Sequence, residues 1–402
     1  MASAELTNGK PVSFPKHFYS LDALRGLAAL SVVFWHWQHF FCDGTKLGPF
    51  TPELQPLYFL FEPLYLYGWK AVDLFFCLSG FIFFWLYSER VAKREISSRE
   101  FAVLRLSRLY PLHFLTLCFT ALAQQFMLRH YGTYFVYPWN DSWHFVLQLF
   151  LASKWGFERG DSFNGPAWSV SVEVLLYAVF FLACRLNLRS WWHAAIFSCA
   201  DFALAQLGAA DVGRGMFSFF IGGATFCLFV HLRRRGLSLR ALRILAVLSV
   251  SMWIVIPLNL RYNFLYNIYH QFGWHRMFAI HGKDVCGFIL LLVPQFSFEL
   301  VLFPLTILTL ALWEANRGTL GRRLAFLGRI SYSSYMLHFP LQLVFIIVVL
   351  HLTGHNSFFY SPWAFLLFFS TLIVLSLCSH RYVEMPCQSF IRERFRKTKG
   401  CH

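Results

Sequence analysis

Charge is what this sequence has least of. Only 14% of its 402 residues are Asp, Glu, Lys or Arg, and acidic residues number 20 against 35 basic ones. A soluble domain carries nearer a quarter charged residues, so a water-facing globule is excluded. Cysteine is present without pattern: ten are scattered, with no CxxC pair and no Cys/His ligand spacing. That argues against a disulfide framework or a zinc site and leaves most of them as small apolar packers. There is no Pro/Gly/Ser-rich linker and no low-complexity tract, so one integral domain is expected. No internal repeat is visible either, and an inverted repeat is the usual mark of a transporter. The first residues, MASAELTNGKPVSFPKHF, lack the n-region, h-region and cleavage site of a signal peptide, so the first apolar helix is expected to be retained.

What is there is apolar. The chain is 57% hydrophobic and 20% aromatic, with mean hydropathy +0.51, and its apolar runs are long and repeated. This predicts an all-α polytopic membrane protein. The net charge of +15 does not indicate nucleic acid, because the basic residues cluster between apolar spans, as the positive-inside rule requires. Spans are expected near 19–42, 70–87, from RLYPLHF to about 128, and near 167–185, 191–207, 216–232, 241–258, 298–313, 330–352 and 362–381. That gives about ten transmembrane helices with both termini cytoplasmic and every basic cluster inside. The expected order is a cytoplasmic segment 1–18, a membrane domain 19–386 and a basic tail 387–402. The loop 43–68 and the short apolar piece 143–151 are expected on the interface, 261–284 outside, and a re-entrant piece at 285–293.

The first span is apolar yet carries Asp22, Arg25, His36 and His39. Ionisable groups inside a membrane helix are costly and point to function. Arg25 and His36 are eleven positions apart, so on one continuous helix they share a face, roughly 16 Å apart along the axis. That spacing suits two groups addressing different parts of one long ligand. The structural alternative is that Arg25 snorkels to headgroups and His36 bonds a neighbouring helix. Glu173 enters the fourth span at a depth matching His36, each roughly 9 Å below the outer boundary. A histidine oriented by a carboxylate is the usual composition of a general base.

Arg105 and Arg108 lie three apart before the third span, where they can grip a phosphate together or serve simply as topology determinants. Ser79 and Gly80 in LSGF mark a close backbone approach, to a ligand or between helices. His338 lines the same cavity or bonds a serine on a neighbouring helix. Glu384 is expected to pair with an inner arginine, and Asp22 and Asp73 to cap helix starts.

Together, LDALRGLAALSVVFWH, FFCLSGFIF, RLSRLYPLHF, PAWSVSVEVLLY, GRISYSSYMLH and RYVEMP resemble the membrane-bound acyltransferase family 3, in the family's order and over nearly the whole chain. The resemblance implies an integral membrane O-acyltransferase that takes an acyl group, most often acetyl, from cytosolic acyl-CoA to a sugar hydroxyl of an envelope glycan or glycolipid. It implies no bound cofactor, no metal and no nucleic-acid partner. Membrane lipids and envelope-biosynthesis proteins are the implied neighbours, in a bacterial cytoplasmic membrane. Arg25 and His36 fall on the family's R-x10-H pair, with His36 as base. Arg105 and Arg108 match the R-x-x-R element thought to hold the donor's nucleotide end. Ser79, Gly80 and Phe81 match the SGF motif, and Glu173 the acidic residue of WSxSxE. Ala23 stands where many members have glycine. Some members append an SGNH-hydrolase domain, and without one the membrane domain is expected to finish the transfer alone or pass the acyl group to a separate protein. Transfer to a lipid or small molecule, a transporter or flippase without acyl chemistry, and a non-catalytic scaffold are the competing readings.

Overall fold

The protein's computed structural model describes residues 15–272 and 296–400. The expected re-entrant piece at 285–293, the far part of 261–284 and most of the 1–18 segment lie outside those residues. In chain order the α-helices are α1 (Tyr19–Trp35), α2 (Tyr58–Tyr67), α3 (Ala71–Ala92), α4 (Ser98–Tyr131) and α5 (Ser142–Leu149). Then come α6 (Trp168–Arg185), α7 (Trp191–Gln206), α8 (Ala210–Arg235), α9 (Leu239–Tyr262) and α10 (Phe264–Gln271). The last are α11 (Phe303–Arg317), α12 (Ala325–Arg329), α13 (Ser331–Thr353), α14 (Pro362–Ser379) and α15 (Met385–Gly400). Strand is confined, among the described residues, to the small hairpin Cys42–Asp43 with Lys46–Leu47.

Eight helices among the described residues are long and apolar enough to cross a membrane, α2 and α3 counting as one run, Tyr58–Ala92. With 17 and 16 residues, α1 and α7 are shorter than these. This is an all-α membrane protein. The peripheral position of α9 shows in its burial: 17% of its apolar window is covered by the rest of the protein, so most of that surface is left for lipid.

Three boundaries differ from the sequence expectation. The first span does not run as one α-helix to 42; α1 stops at Trp35 and continues as a 3-10 turn, His36–Phe41. The 43–68 stretch holds a helix of its own, α2, whose Phe59 is 86% exposed. And α4 begins well before the apolar run, because Ser97 accepts from Glu100 N and starts a capping box ahead of Arg105.

The backbones of α3 and α8 come into near contact where they cross. A Cβ on Gly80 would meet the Phe219 carbonyl oxygen at 1.8 Å, and one on Gly222 would meet that of Cys77 at 2.0 Å. Small residues let two helix backbones touch, which drives association where water cannot. Phe81 is fully buried beside this crossing, edge-on to Phe18, Phe226 and Phe229. Gly80 and Phe81 therefore face α8. For Gly80 this is the approach between helices that the sequence held open beside a ligand contact.

The bundle has two chemically distinct ends. At one, Glu314 of α11 accepts from Tyr19 N, Ser20 N and Ser20 Oγ at 3.0, 2.9 and 2.6 Å, capping α1 from outside. At the same end Tyr332 donates to Leu109 O at 2.6 Å, joining α13 to α4. The basic stretches of α4, α8 and α15 lie here, so it is the basic end. The opposite end gathers the His36 turn and the starts of α3, α6 and α8.

Candidate active site: two cavities and a histidine cluster

A cavity of about 890 Å³ opens among α1, α3, α4, α6 and α13. Arg25, Arg105 and Arg108 line it, with Ser79, Glu173, Ser169, Tyr332 and Tyr335. Asp22 (3.1 Å) and Ser331 Oγ (3.0 Å) fix Arg25, and Gly328 O accepts from it as well. Asp22 also holds His17 Nε2 at 2.6 Å, so it is an ion-pair residue rather than the expected cap. Arg105 lies over the rings of Phe83 (4.8 Å) and Tyr87 (4.5 Å) and donates to the Tyr87 hydroxyl. Arg108 makes no hydrogen bond or ion pair among the described residues. Arginine held by aromatic faces is pre-oriented and keeps N–H groups for an incoming anion.

A second cavity of about 750 Å³ lies at the opposite end, lined by His36, Trp35, Trp69, Trp168, Lys154 and Arg214 together with Asp161 and Asp211. Lys154 bridges Asp161 (3.1 Å) and Asp211 (3.0 Å). Burial opposes its charge, but the two carboxylates outweigh burial and hold the ammonium above its ordinary value. Arg214 sits between the rings of Trp69 (4.9 Å) and Trp168 (5.6 Å). It grips the fully buried Asp73 twice, at 2.6 and 2.8 Å. Beside it Lys70 pairs with Glu299 at 2.7 Å. The sequence reading of Asp73 as a helix cap missed this pair, whose partner is 141 positions away.

Between the cavities stand three imidazoles. His36 Nδ1 is 2.9 Å from Val32 O, and a carbonyl only accepts, so the proton is on Nδ1 and Nε2 keeps its lone pair. The His36 ring lies 4.7 Å from that of His39 and 4.8 Å from that of His338. His338, fully buried, donates from Nδ1 to Tyr335 O at 2.6 Å, and its Nε2 has no hydrogen-bond partner among the described residues. Gln342 secures the turn: its amide nitrogen donates to His36 O at 2.8 Å, which leaves its oxygen facing His39 Nδ1 at 3.2 Å. No group of three or more His, Cys, Asp or Glu among the described residues is arranged to hold a metal ion.

The expected contact between His36 and Glu173 is not made. Ser79 Oγ donates to Glu173 Oε1 at 2.9 Å, inside the arginine-lined cavity. The depth match failed for two reasons. His36 belongs to the turn at the very end of α1, and it is Trp168, the first residue of α6, that shares its cavity. Glu173 lies five residues further along, about 7.5 Å deeper toward the basic end at 1.5 Å per residue. Likewise Arg25 and His36 line different cavities, and His36 is oriented by Val32, Gln342 and its two imidazole neighbours. Glu384 is not paired with an arginine: Ser333 Oγ donates to it, and His380 lies 3.7 Å away.

One residue ties the two regions together. Tyr335 lines the arginine cavity, shares a 2.8 Å hydrogen bond with Ser169, and donates to Pro166 O at 2.7 Å. Its carbonyl in turn holds His338. Asn164 strengthens the same seam by donating to Met336 O at 3.0 Å. Ser169 and Tyr335 were visible in WSVSVE and SYSSYMLH, but nothing in those strings says that they meet.

An all-helical membrane protein with an arginine-lined cavity at one end and a histidine-lined one at the other has the parts for chemistry between two ligands. The chain belongs to the acyltransferase family 3, whose acyltransferase-domain profile matches residues 18–380. Its relatives include the acyltransferase MdmB of Streptomyces mycarofaciens, 32% identical over 212 residues that cover 49% of this chain and 49% of that one. Another is protein 2 in the picA locus of Rhizobium radiobacter, 35% identical over 107 residues, covering 27% of this chain and 46% of that one. Each match spans about half the length of the relative. No solved structure matches.

Proposed function

We propose that this protein is a membrane O-acyltransferase. It takes an acyl group, most simply acetyl, from acyl-CoA entering at the basic end and passes it to a hydroxyl of a glycan admitted at the other. The observation that carries this reading is the continuity from the Arg25/Arg105/Arg108 cavity through Tyr335 to the imidazoles of His338 and His36. Arginine is the side chain best shaped to hold phosphate, and the donor's nucleotide end is rich in it. The second cavity offers Trp35, Trp69 and Trp168 together with charged hydrogen-bonding groups, a lining that suits a sugar ring and its hydroxyls. The membrane would be a bacterial cytoplasmic one, with the basic end on the cytosolic side, where the positive-inside rule sets it.

In the step itself, the acceptor oxygen attacks the thioester carbonyl as His36 Nε2 takes its proton. The tetrahedral intermediate then collapses, the C–S bond breaks, and the thiolate of CoA leaves and is protonated by the imidazolium. Val32 holds the tautomer that this requires. Arg25 and Glu173 belong to the donor side, where Arg25 meets the pantetheine arm and Glu173 keeps Ser79 oriented.

The donor reading is tested by following free thiol released from acetyl-CoA. The Arg105→Ala/Arg108→Ala variant is expected to raise KM for the donor by about tenfold or more, since a hydrogen bond to a charged group contributes about 1.5–3 kcal/mol. Its kcat is expected to change little. An unchanged KM in folded protein overturns the assignment of this cavity to the donor.

A further inference from the structure

The basic tail is not a loose appendage. After the π-helical stretch His380–Glu384 it continues as α15 and packs along the start of α4. Arg392, half-buried, donates from Nε to Ser107 Oγ at 3.2 Å and from Nη2 to Leu104 O at 3.0 Å. Positions 104, 107 and 108 share one helix face, so Arg392 docks on the face that carries Arg108. Arg105, Arg108 and Arg396 all lie within electrostatic reach of it. Among the described residues no carboxylate forms an ion pair with Arg105, Arg108 or Arg392. The two hydrogen bonds of Arg392 leave Nη1 unused.

Like charges held together by packing, with no carboxylate paired to them, cost free energy unless an anion completes them. Two of these guanidinium groups come from one turn of α4 and the third from a separate helix, which sets cationic donors on two elements for an anion with more than one phosphate. Acyl-CoA carries phosphate at two separate places, the pyrophosphate and the ribose 3′-phosphate. We infer that Arg392, projecting from α15 beside Arg108, binds the 3′-phosphate of the donor, while Arg105 and Arg108 hold the pyrophosphate. This rests on the acyl-CoA reading above. The same chemistry could be met by a lipid headgroup phosphate at the membrane surface, and the test separates the two.

Thiol release is measured with acetyl-CoA and with acetyl-3′-dephospho-CoA, for wild type and Arg392→Gln, in nanodiscs of zwitterionic lipid and of the same lipid mixed with phosphatidylglycerol. Wild type is expected to show a KM about tenfold lower for acetyl-CoA than for the dephospho donor, the size of one charge-assisted contact. In Arg392→Gln that preference is expected to vanish through a higher KM for acetyl-CoA alone, in both lipids. Arg392→Lys, which keeps the charge, should retain part of it. Ser107→Ala, which removes one helix anchor and no charge, should retain all of it.

Three results overturn the inference: a preference that survives in Arg392→Gln, an equal weakening of both donors, or an Arg392 effect seen only with anionic lipid. If wild type neither binds nor consumes either donor, the acyl-CoA reading itself falls, and this inference with it.

Discussion

Replacing His36 by alanine is expected to lower acyl transfer by about 10²–10⁴-fold, the usual contribution of a positioned general base. Donor binding should be nearly untouched, because Arg25, Arg105 and Arg108 line a different cavity. Val32 O at 2.9 Å commits Nδ1 of His36 to carrying the proton, so Nε2 is the basic nitrogen. The ring then needs a fixed direction, and it takes this from His39 and His338, 4.7 and 4.8 Å away, and from Gln342 on its own carbonyl. His39 and His338 carry no such burden: His39→Ala should cost much less than His36→Ala. The experiment is single-turnover thiol release with donor binding followed in the same samples, and a thermal melt to show that the variant is folded. Near wild-type release from folded His36→Ala would remove the base from the account.

Exchanging Arg214 for methionine is expected to destabilise the protein by about 3–5 kcal/mol, the range for removing one member of a buried ion pair. The asymmetry of the pair decides which half matters more. Asp73 is 0% exposed, whereas the Arg214 side chain is 28% exposed and can still reach the cavity. Without Arg214 the Asp73 carboxylate loses its paired cation and stays buried beside Glu299. Without Asp73 the guanidinium keeps Trp69, Trp168 and solvent. Arg214→Met should therefore lower the unfolding midpoint more than Asp73→Asn, and the double variant should recover part of the loss. Equal losses in the two single variants would overturn this asymmetry, and wild-type midpoints in both would show that the pair does not hold the starts of α3 and α8 together.

The residues that made the family legible are those in unbroken strings. RLSR kept Arg105 and Arg108 within one turn of α4, and both line the cavity that the sequence assigned to a donor. What was hidden depends on where helices stop and which ones touch. Nothing in FWHWQHFF announces that α1 ends at Trp35 and passes into a 3-10 turn at His36, so a helix drawn to residue 42 put the ring on a regular α-helical face that it does not occupy. Glu173 could not be matched to Ser79, 94 positions away, nor Asp73 to Arg214, because both pairings depend on how α3 crosses α6 and α8. Gly80 read equally well as a ligand approach or a helix contact. Only the crowding shows the contact: a Cβ on Gly80 would lie 1.8 Å from the Phe219 carbonyl oxygen. His39, buried and bonded to Gln342, stood out in the sequence only as an ionisable group in the first apolar span, with no sign of its partner.

The central claim is that the donor enters at the end bearing Arg105, Arg108 and Arg392, while the base waits toward the opposite end. It is tested most directly in proteoliposomes of uniform orientation, the exposed tail marked by protease cleavage within 387–402. Acetyl-CoA is supplied to one face at a time and released thiol is measured. Thiol release only when the donor is on the face of the basic tail is the expected result. Release from the other face alone, or equally from both, would contradict it.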